Sequence, residues 1–402
     1  MTDFTMTKDA DGIATITWDV AHKSMNVLSL DGWDDLDACV TDALADDGIK
    51  ALIITSGKDT FAGGMDLNVI AKMKAMSGDD PAQGLMDGLM KSHAILRRIE
   101  RAGMDPKSLK GGKPVACVLP GTALGIGFEI PLACHRIFAA DNPKAKIGLP
   151  EIMVGIFPGM GGTTRLARKL GAMAASPFLL EGKLSDPAKA KAAGLIDEVS
   201  ADPMADARAW VLSATDADIV KPWDAKGYKM PGGTPYHPAG FMTFVGASAM
   251  VNGKTQGVYP AAKALLSAVY EGALVPFDTA LKIEARWFTH VLMNPSSEAM
   301  IRSLFINKEA LEKGANRPEA PDQKVSRVGV IGAGMMGAGI AYVSANVGIE
   351  VVLIDREQAA ADKGKSYSES ILDKGIKRRK VTEDRKAEVL GRITATTDLQ
   401  AL

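Results

Sequence analysis

Apolar residues recur in two different rhythms along the first half of the chain. Residues 12–18 alternate between apolar and polar positions, which is typical of a half-buried strand, and residues 50–55 form the apolar run of a fully buried strand. Between them, apolar residues recur every three or four positions, which predicts a helix with one buried face. These residues are Trp33, Leu36, Val40 and Leu44. Two more strand candidates cover residues 114–118 and 136–140, and strands that alternate with helices predict an α/β architecture.

The second half of the chain carries a different pattern. Residues 221–240 are rich in proline and glycine and are predicted to be irregular, whereas residues 261–271 and 277–292 show helical spacing. Residues 314–323 are polar and contain two prolines, a composition that is typical of linkers. We therefore predict a domain boundary near residue 320. The predicted domains are residues 1–200, a helical extension and linker at 201–320, and residues 321–402.

Composition places the chain among ordinary globular proteins. Its 402 residues suffice for roughly two to three domains. The 47 Lys and Arg residues balance 48 Asp and Glu residues, which argues against a protein that binds nucleic acid over its whole surface. Three cysteines without a CxxC pair fit a reducing compartment and no structural zinc. The N-terminus lacks the apolar segment of a secretory signal, so we expect a cytoplasmic protein. From the cysteine pattern we also expect a protein without a metal.

Two glycine-rich turns each follow a predicted buried strand. The first turn occupies residues 57–66 and the second occupies residues 121–129. Glycine lets the backbone adopt positive φ or approach a ligand closely, and two such turns can direct two backbone N–H groups at one oxygen atom, as in an oxyanion hole. Glu129 ends the second turn, and Glu151 lies in the loop that precedes a further glycine-rich passage. These two acids are therefore candidates for proton transfer.

Three segments resemble a known family, and they occur in that family's order. They read FAGGMD, PGTALGIGFEIPLACHRIFAAD and KIGLPEIMVGIFPGMGGTTRLARKLG. This pattern resembles the enoyl-CoA hydratase/isomerase (crotonase) superfamily over about residues 1–200. The resemblance implies an α/β fold of the crotonase type, a ββα superhelix, followed here by the helical region. It also implies that the substrate is a thioester of coenzyme A.

The resemblance also implies roles for particular residues. The backbone N–H groups of Met65 and Ile126 fall on the family's two oxyanion donors, and Glu129 and Glu151 fall on its two catalytic carboxylates. Hydration of an unsaturated thioester needs a base, an acid and donors for an enolate-like oxygen. We therefore assign activation of water mainly to Glu129 and protonation of the substrate α-carbon mainly to Glu151. The further substrate-binding candidates are Gly64, Asp66, Gly125, Gly127, Pro158 and Gly159.

The sequence departs from the family's pattern at both donor positions. Ile126 stands between Gly125 and Gly127, where the family often has three glycines in a row, and Met65 replaces a commonly small residue. A side chain at a donor position does not block the N–H group itself, but it narrows the space beside it. We therefore expect these two residues to affect the preferred acyl chain length more than the chemistry.

Each glutamate also has a simpler structural interpretation. Glu129 alone could be a glutamate at a helix start, stabilised by the helix dipole. Glu151 alone could be a loop carboxylate that forms an ion pair with Lys146 or Arg165. The catalytic interpretation depends on both glutamates lying beside both glycine turns.

A third glycine motif lies in the last part of the chain. Gly332, Gly334 and Gly337 form GxGxxG between a strand pattern and a helix pattern, and Asp355 ends the next apolar run. In a dinucleotide-binding turn the first glycine permits the tight turn, the second admits the pyrophosphate, the third permits close helix packing, and the acid bonds the ribose 2′-OH. The acid favours NAD, and Arg356 directly after it leaves NADP as an alternative.

Residues 328–349 have a competing interpretation as a membrane span. They lack charged residues and are long enough to cross a bilayer. The segment contains six glycines, so we prefer a strand, a glycine turn and a helix. A glycine-rich packing turn that binds no ligand is a second alternative.

Residues 328–357 resemble the start of the NAD-binding domain of L-3-hydroxyacyl-CoA dehydrogenases. A crotonase-like part followed by this partial Rossmann-type domain looks similar to the α-subunits of multifunctional fatty-acid oxidation enzymes. The resemblance implies NAD as a cofactor, and a thiolase β-subunit or a second copy of the chain as a partner. In that family the dehydrogenase histidine follows the glycine motif, whereas all five histidines here precede it. We therefore expect no dehydrogenase turnover from these 402 residues. The histidines are His22, His93, His135, His237 and His290.

Three functional hypotheses follow from these observations. The first is an enoyl-CoA hydratase of fatty-acid β-oxidation, because both glutamates are present. The second is a Δ3-Δ2-enoyl-CoA isomerase, which needs only a proton shuttle. The third is an acyl-CoA-binding module without catalytic activity that helps to assemble a complex with a thiolase. The basic cluster at residues 377–380 does not add nucleic acid to the list, because mixed charges around it indicate a solvated helix face.

Overall fold

The computed structural model describes residues 2–318, 321 and 324–402. The chain divides into two compact units, Met1–Ala315 and Asn316–Leu402, and each unit has its own hydrophobic core. The division falls within the segment that the sequence marks as a linker. Residues 319–320 and 322–323 of that segment lie outside the described part of the chain.

The strands of the first unit form one large sheet and one small sheet. They are β1 (Phe4–Lys8), β2 (Ile13–Trp18), β3 (Ala51–Ser56), β4 (Val115–Leu119), β5 (Ala123–Leu124), β6 (Arg136–Ala140), β7 (Ile147–Gly148) and β8 (Glu198–Ser200). The large sheet has the order β1-β2-β3-β4-β6-β8, and β5 pairs with β7. The first pair, β1 and β2, is antiparallel, and the other pairs are parallel. The carboxyl ends of the parallel strands therefore share one edge, which is where ligands bind in such sheets.

Helices connect these strands and then form the extension. They are α1 (Leu30–Ala45), α2 (Leu67–Met76), α3 (Pro81–Arg101), α4 (Ile126–Ala133), α5 (Gly162–Leu170), α6 (Ala172–Leu180), α7 (Pro187–Ala192), α8 (Pro203–Ser213), α9 (Pro238–Thr255), α10 (Pro260–Gly272), α11 (Phe277–Met293), α12 (Pro295–Ile301) and α13 (Asn307–Glu312). Short 3₁₀ turns cover Glu151–Val154 and Pro222–Asp224, and a π-helical turn covers Arg302–Ile306.

The central strands are covered on both faces. In β3, Leu52 and Ile54 belong to the main core, whereas Ala51 and Ile53 belong to a second cluster that includes residues of α8. Strands that are buried on both faces read as continuous apolar runs rather than as alternating ones. This explains why residues 50–55 are apolar throughout.

The first predicted helix occurs as α1, and its spacing matches its burial. Trp33, Leu36 and Val40 are buried, and Leu44 is a partly buried residue at the edge of the same core. The helix begins after Ser29, whose hydroxyl accepts the Gly32 N–H at 2.9 Å, an N-cap that satisfies one of the free N–H groups of the first turn.

The extension differs from the prediction at one helix start. The helices expected at residues 261–271 and 277–292 are α10 and α11, with bounds one or two residues wider. The segment expected to be irregular through residue 240 ends sooner, because α9 begins at Pro238. His237 caps that helix by accepting the Ala239 N–H, and proline is favoured in the first helical turn.

The second unit is a three-stranded parallel sheet with helices. Its elements are β9 (Arg327–Ile331), α14 (Met335–Asn346), β10 (Glu350–Ile354), α15 (Gln358–Lys377), α16 (Glu383–Gly391), β11 (Ile393–Thr396) and a 3₁₀ turn at Leu399–Ala401. The strand order is β11-β10-β9, with parallel pairing throughout. The uncharged segment at residues 328–349 is thus divided between a strand and a helix, as preferred above. Among the described helices, none has the length and apolar character needed to cross a membrane.

Candidate active site

Both glycine turns of the first unit open onto one cavity of ≈ 300 Å³. The cavity lies beyond the carboxyl ends of β3 and β4, and most of its lining is apolar. The lining includes Gly64, Met65, Gly125, Ile126, Glu129, Glu151 and Gly159, together with apolar residues of α2, Phe288 of α11 and Phe305 of the π-helical turn. The structure therefore brings both predicted carboxylates and both predicted donor residues to one place.

The two glycine turns touch each other directly. Isolated parallel bridges join Ala62 to Ala123 and Leu28 to Met65, so the first turn lies alongside the second. A Cβ atom placed on Gly125 would lie 3.6 Å from the Cα atom of Gly64. Gly64 and Gly125 have φ values of 108° and 56°, a region that favours glycine. The close approach of the turns therefore depends on these two glycines.

The two predicted donor N–H groups have no acceptor in the part of the chain that the structure describes. Around Met65, the bridge to Leu28 uses the carbonyl of Gly64 and the N–H of Asp66, at 2.9 and 3.3 Å, so the Met65 N–H points away from this pairing. Ile126 is the first residue of α4, where an N–H has no partner within the helix. Among the described residues, neither N–H donates a hydrogen bond to another protein group. Both are available to an oxygen atom in the cavity.

Glu129 is a buried residue in the first turn of α4. Its Oε1 atom accepts the N–H groups of Met160 and Gly162, at 2.9 and 2.8 Å. Within the described part of the chain no hydrogen bond reaches its Oε2 atom, which leaves that oxygen for a ligand. Stabilisation by the dipole of its own helix therefore does not fully describe Glu129, because the turn that leads into α5 holds its carboxylate.

Glu151 begins a 3₁₀ turn and also lines the cavity. The residue as a whole is half-buried, but its Oε2 atom is shielded and has no hydrogen-bond partner among the described residues. It forms no ion pair with Lys146 or Arg165 in that part of the chain. Arg165 instead binds Glu100, with Nε–Oε1 and Nη2–Oε2 distances of 3.1 Å each. The ion-pair interpretation of Glu151 therefore does not describe this structure.

Burial and mutual repulsion raise the proton affinity of this site. Burial, followed by the nearby carboxylates of Glu151 and Glu284, raises the pKa of Glu129 well above its usual range, while the two N–H donors act in the opposite direction. Burial, with a further contribution from Glu284, raises the pKa of Glu151 to about 8. Like charges in a shielded site resist simultaneous ionisation. One glutamate can therefore hold a proton at neutral pH while the other remains a carboxylate.

The remaining substrate-binding candidates fall into two groups. Gly64, Gly125 and Gly159 line the cavity, whereas Asp66, Gly127 and Pro158 do not. Asp66 caps α2 by accepting the Asn68 N–H. The other two are packing residues: a Cβ on Gly127 would lie 2.6 Å from that of Ala62, and the Pro158 carbonyl accepts the Thr163 hydroxyl at 2.8 Å. Gly127 thus packs between the two glycine turns, and Pro158 supports the start of α5.

Sequence reasoning missed the residues that the extension adds to this site. Phe288 and Phe305 line the cavity, and Glu284 of α11 is fully buried near Glu129. No motif marks them, because they follow the resembling segments by more than a hundred residues. A glutamate among the mostly apolar buried residues of α11 was the one available signal, since a buried acid is rare without partners.

The glycine motif of the second unit forms a strand-turn-helix passage with room beside it. Gly332 has φ 98°, and its N–H donates to the Ile354 carbonyl at 2.7 Å. A Cβ on Gly337 would lie 1.7 Å from the Gly332 carbonyl oxygen, whereas nothing lies within 4 Å of a Cβ on Gly334. Asp355 accepts the N–H of the turn residue between Gly332 and Gly334 at 2.7 Å. These residues fit a dinucleotide, since N–H groups in the first turn of a helix such as α14 have no partner within the helix and can serve a pyrophosphate.

The Gly337→Ala substitution is expected to destabilise the second unit by about 3 kcal/mol, because a methyl group cannot fit against the Gly332 carbonyl without moving α14. Gly339→Ala in the same helix is the matched control, since its Cβ would meet open space and alanine favours a helix interior. Chemical unfolding of the two variants measures the difference. Equal stability of both variants would contradict the packing described here.

The fold and this site together define a crotonase-fold protein, in which paired turns supply free N–H groups beside buried acids. The chain belongs to the enoyl-CoA hydratase/isomerase family, which it matches over residues 8–215. Residues 327–402 match the NAD binding domain of 3-hydroxyacyl-CoA dehydrogenase. The family resemblance and the α/β fold class predicted from the sequence are confirmed. Among the described residues, no group of three or more His, Cys, Asp or Glu side chains could hold a metal ion.

Two curated relatives carry the name fatty acid oxidation complex subunit alpha. The one from Shewanella amazonensis is 31% identical over 408 residues, covering 99% of this chain and 54% of that protein. The one from Acinetobacter baumannii is 32% identical over 393 residues, covering 96% of this chain and 52% of that protein. The chain therefore spans about half the length of the curated relatives it matches.

Solved structures resemble the chain in fold. Human mitochondrial Δ3-Δ2-enoyl-CoA isomerase has a TM-score of 0.50 and 20% identity, covering 78% of this chain and 100% of the isomerase chain. An enoyl-CoA hydratase/isomerase from Mycobacterium paratuberculosis has a TM-score of 0.50 and 18% identity, covering 75% and 98% of the two chains. At this identity the likeness concerns the fold alone.

Proposed function

We propose that the first unit hydrates trans-2-enoyl-CoA to 3-hydroxyacyl-CoA, a step of fatty-acid β-oxidation. The observation that carries this proposal is the cavity that holds Glu129, Glu151 and the free N–H groups of Met65 and Ile126. A hydratase needs both an acid and a base, and this site has two carboxyl groups with raised pKa values. The family match over residues 8–215 supports the same substrate class.

The proposed reaction begins when the thioester oxygen accepts the N–H groups of Met65 and Ile126. Glu129, as the carboxylate, removes a proton from a water molecule while the water oxygen forms a bond to the β-carbon. The electron pair of the double bond moves toward the thioester, and the two N–H groups stabilise the enolate-like oxygen, each by about 3 kcal/mol. Glu151, as the acid, gives its proton to the α-carbon. The product is a 3-hydroxyacyl thioester, which leaves Glu129 protonated and Glu151 ionised. Transfer of the proton from Glu129 to Glu151 after the reaction restores the starting state.

The apolar part of the cavity suits the acyl chain of the substrate. Leu67 and Ile70 of α2 line it together with Phe288 and Phe305 from the extension. Small-molecule sites are usually apolar with a few well-placed polar groups, and this cavity has that character. Residues of the extension thus take part in substrate binding in the proposed enzyme.

The second unit is proposed to bind NAD with the turn formed by Gly332, Gly334 and Gly337. Asp355 is proposed to contact the ribose. Its carboxylate oxygens accept the N–H groups of Ala333 and Arg356 and keep further lone pairs for a ligand. When bound, NAD supplies hydride acceptance for oxidation of a 3-hydroxyacyl group. The match to an NAD binding domain supports this assignment.

We propose the same organisation as the sequence suggested. Residues 1–200 form the hydratase domain, residues 201–320 the extension and linker, and residues 321–402 the first part of an NAD-binding domain. A thiolase β-subunit is the proposed partner, because the curated relatives are named as subunits of a fatty acid oxidation complex. A second copy of the chain is an alternative partner, and the cytoplasm is the proposed location.

Loss of enoyl absorbance tests the proposed hydration directly. The chain is expected to consume trans-2-enoyl-CoA of short, medium and long acyl length and to form 3-hydroxyacyl-CoA. Turnover of 3-enoyl-CoA without hydration would support the isomerase alternative instead. Acyl-CoA binding without turnover at any chain length would support the non-catalytic module and contradict the proposal.

A further inference from the structure

The turn at residues 160–164, which runs into the start of α5, directs its N–H groups at two different buried carboxylates. Those of Met160 and Gly162 donate to Oε1 of Glu129, at 2.9 and 2.8 Å. The N–H of Gly161, between them, donates to Oε1 of Glu284 at 2.6 Å. Successive residues of one turn therefore hold two acids from different helices, α4 and α11.

The second carboxylate oxygen of Glu284 also accepts hydrogen bonds from this turn. Its Oε2 atom accepts the N–H of Thr164 at 2.8 Å and the Thr164 hydroxyl at 2.6 Å. With the bond from Gly161, three donors serve a carboxylate that is fully buried. Burial raises the pKa of Glu284 to about 7, and the donated bonds act in the opposite direction because they favour the ionised form. Glu284 does not belong to the lining of the cavity, so a direct contact with substrate does not explain its burial.

Side chains pack closely against the two glycines of this turn. A Cβ on Gly162 would lie 2.6 Å from both Cγ and Oε1 of Glu129, and a Cβ on Gly161 would lie 2.0 Å from a guanidinium nitrogen of Arg165. Arg165 is itself fully buried and paired with Glu100. A shift of the turn therefore displaces the Glu129 carboxylate, because the two are in contact.

We propose that Glu284 is a positioning residue for hydration: from α11 it fixes the turn at residues 160–164, and the turn fixes the carboxylate of Glu129. The inference rests on the proposed function, because it assigns the role through Glu129 as the base. It makes the helical extension part of the catalytic apparatus, since removal of α11 would leave the turn held from one side only.

The charged groups around Glu129 determine how the loss of the Glu284 carboxylate would change the pKa of Glu129. Glu151 and Glu284 face it as like charges. The positive charge of Arg165 on α5 lowers the pKa of Glu284. Arg165 is already paired with Glu100. His93 on α3 lies 3.9 Å from Oε1 of Glu284, and burial lowers the pKa of His93 to about 4, so this histidine is neutral at neutral pH. Removal of the Glu284 charge therefore lowers the pKa of Glu129.

The Glu284→Gln variant of the full chain tests this role in the hydratase assay. The amide cannot accept donors on both sides, so the turn loosens. We expect kcat to fall by tenfold to about a hundredfold, while KM for enoyl-CoA stays within about twofold because the residue does not line the cavity. The acid limb of the kcat–pH profile is expected to move to lower pH. Wild-type hydration in the same assay is a precondition, so its absence would refute the proposed function instead of this inference.

Two further variants keep the test decisive. Thr164→Val removes one hydroxyl bond to Glu284 and is expected to lower kcat by about threefold, even if Glu284→Gln does not fold. Glu298→Gln removes an exposed carboxylate from the neighbouring α12 and is expected to behave as wild type. Three results for Glu284→Gln would each overturn the positioning role. The first is an unchanged kcat with an unchanged acid limb, and the second is a change confined to KM. The third is a loss of active protein while the remaining protein keeps the wild-type pH profile.

Discussion

Glu129→Gln and Glu151→Gln are each expected to lower kcat for enoyl-CoA hydration by about 10³-fold. Glutamine keeps the shape of glutamate but cannot take or give the proton. At position 129 the amide oxygen can still accept the N–H groups of Met160 and Gly162, so the fold should be retained. At position 151 the Oε2 atom has no hydrogen-bond partner among the described residues, so the loss should again be confined to the chemistry.

Unfolding curves of both variants provide the control for folding, and the double variant tests whether the two acids act together. Because residues that act as a unit are not additive, the double variant should lose little more than either single one. A Glu129→Gln protein that keeps its activity would point to an isomerase, which needs only one proton shuttle. Full activity in both variants would refute the catalytic assignment.

Gly125→Ala is expected to lower kcat/KM by about 10²-fold, close to the loss of one oxyanion donor. Gly125 has φ 56° and ψ −129°, which alanine adopts only with strain. Its Cβ would also lie 3.1 Å from Oε1 of Glu151 and 3.6 Å from Cα of Gly64. Relief of these contacts moves the N–H of Ile126, which the account assigns as a donor to the thioester oxygen.

Gly78→Ala separates backbone strain from the effect on the site. Gly78 also has positive φ, at 81°, but its Cβ would meet nothing within 4 Å. Both variants should lose about 1–2 kcal/mol of stability from the unfavourable φ, and only Gly125→Ala should lose activity. An equal loss of activity in both variants, measured with enoyl-CoA, would mean that the second glycine turn has no special role.

Local sequence patterns predicted those parts of the fold where packing is simple. The strand at residues 50–55 was identifiable because it is buried on both faces, and α1 was identifiable because one apolar stripe faces the core. The helix α9 was not predicted, since it begins in a proline-rich segment and residues 238–253 carry no charged residue to define a polar face.

The residues of the site also fall into those that local sequence patterns could predict and those that they could not. The two glycine turns and Glu129 and Glu151 lie in segments whose residue order is distinctive, so they could be proposed from the sequence. Glu284 and Phe288 come to the same place only through the packing of α11 against the first domain, which no short-range pattern records. The sequence also could not show that the Met65 and Ile126 N–H groups lack acceptors among the residues that the structure describes, because this depends on the pairing of neighbouring residues.

The most direct measurement is a crystal structure of the protein with an acyl-CoA bound. The account predicts that the thioester oxygen lies about 2.7–3.1 Å from the N–H nitrogens of both Met65 and Ile126. It also predicts that the carboxyl groups of Glu129 and Glu151 face the α- and β-carbons from the cavity wall. A thioester oxygen bound elsewhere, or glutamates that do not face these carbons, would contradict the account.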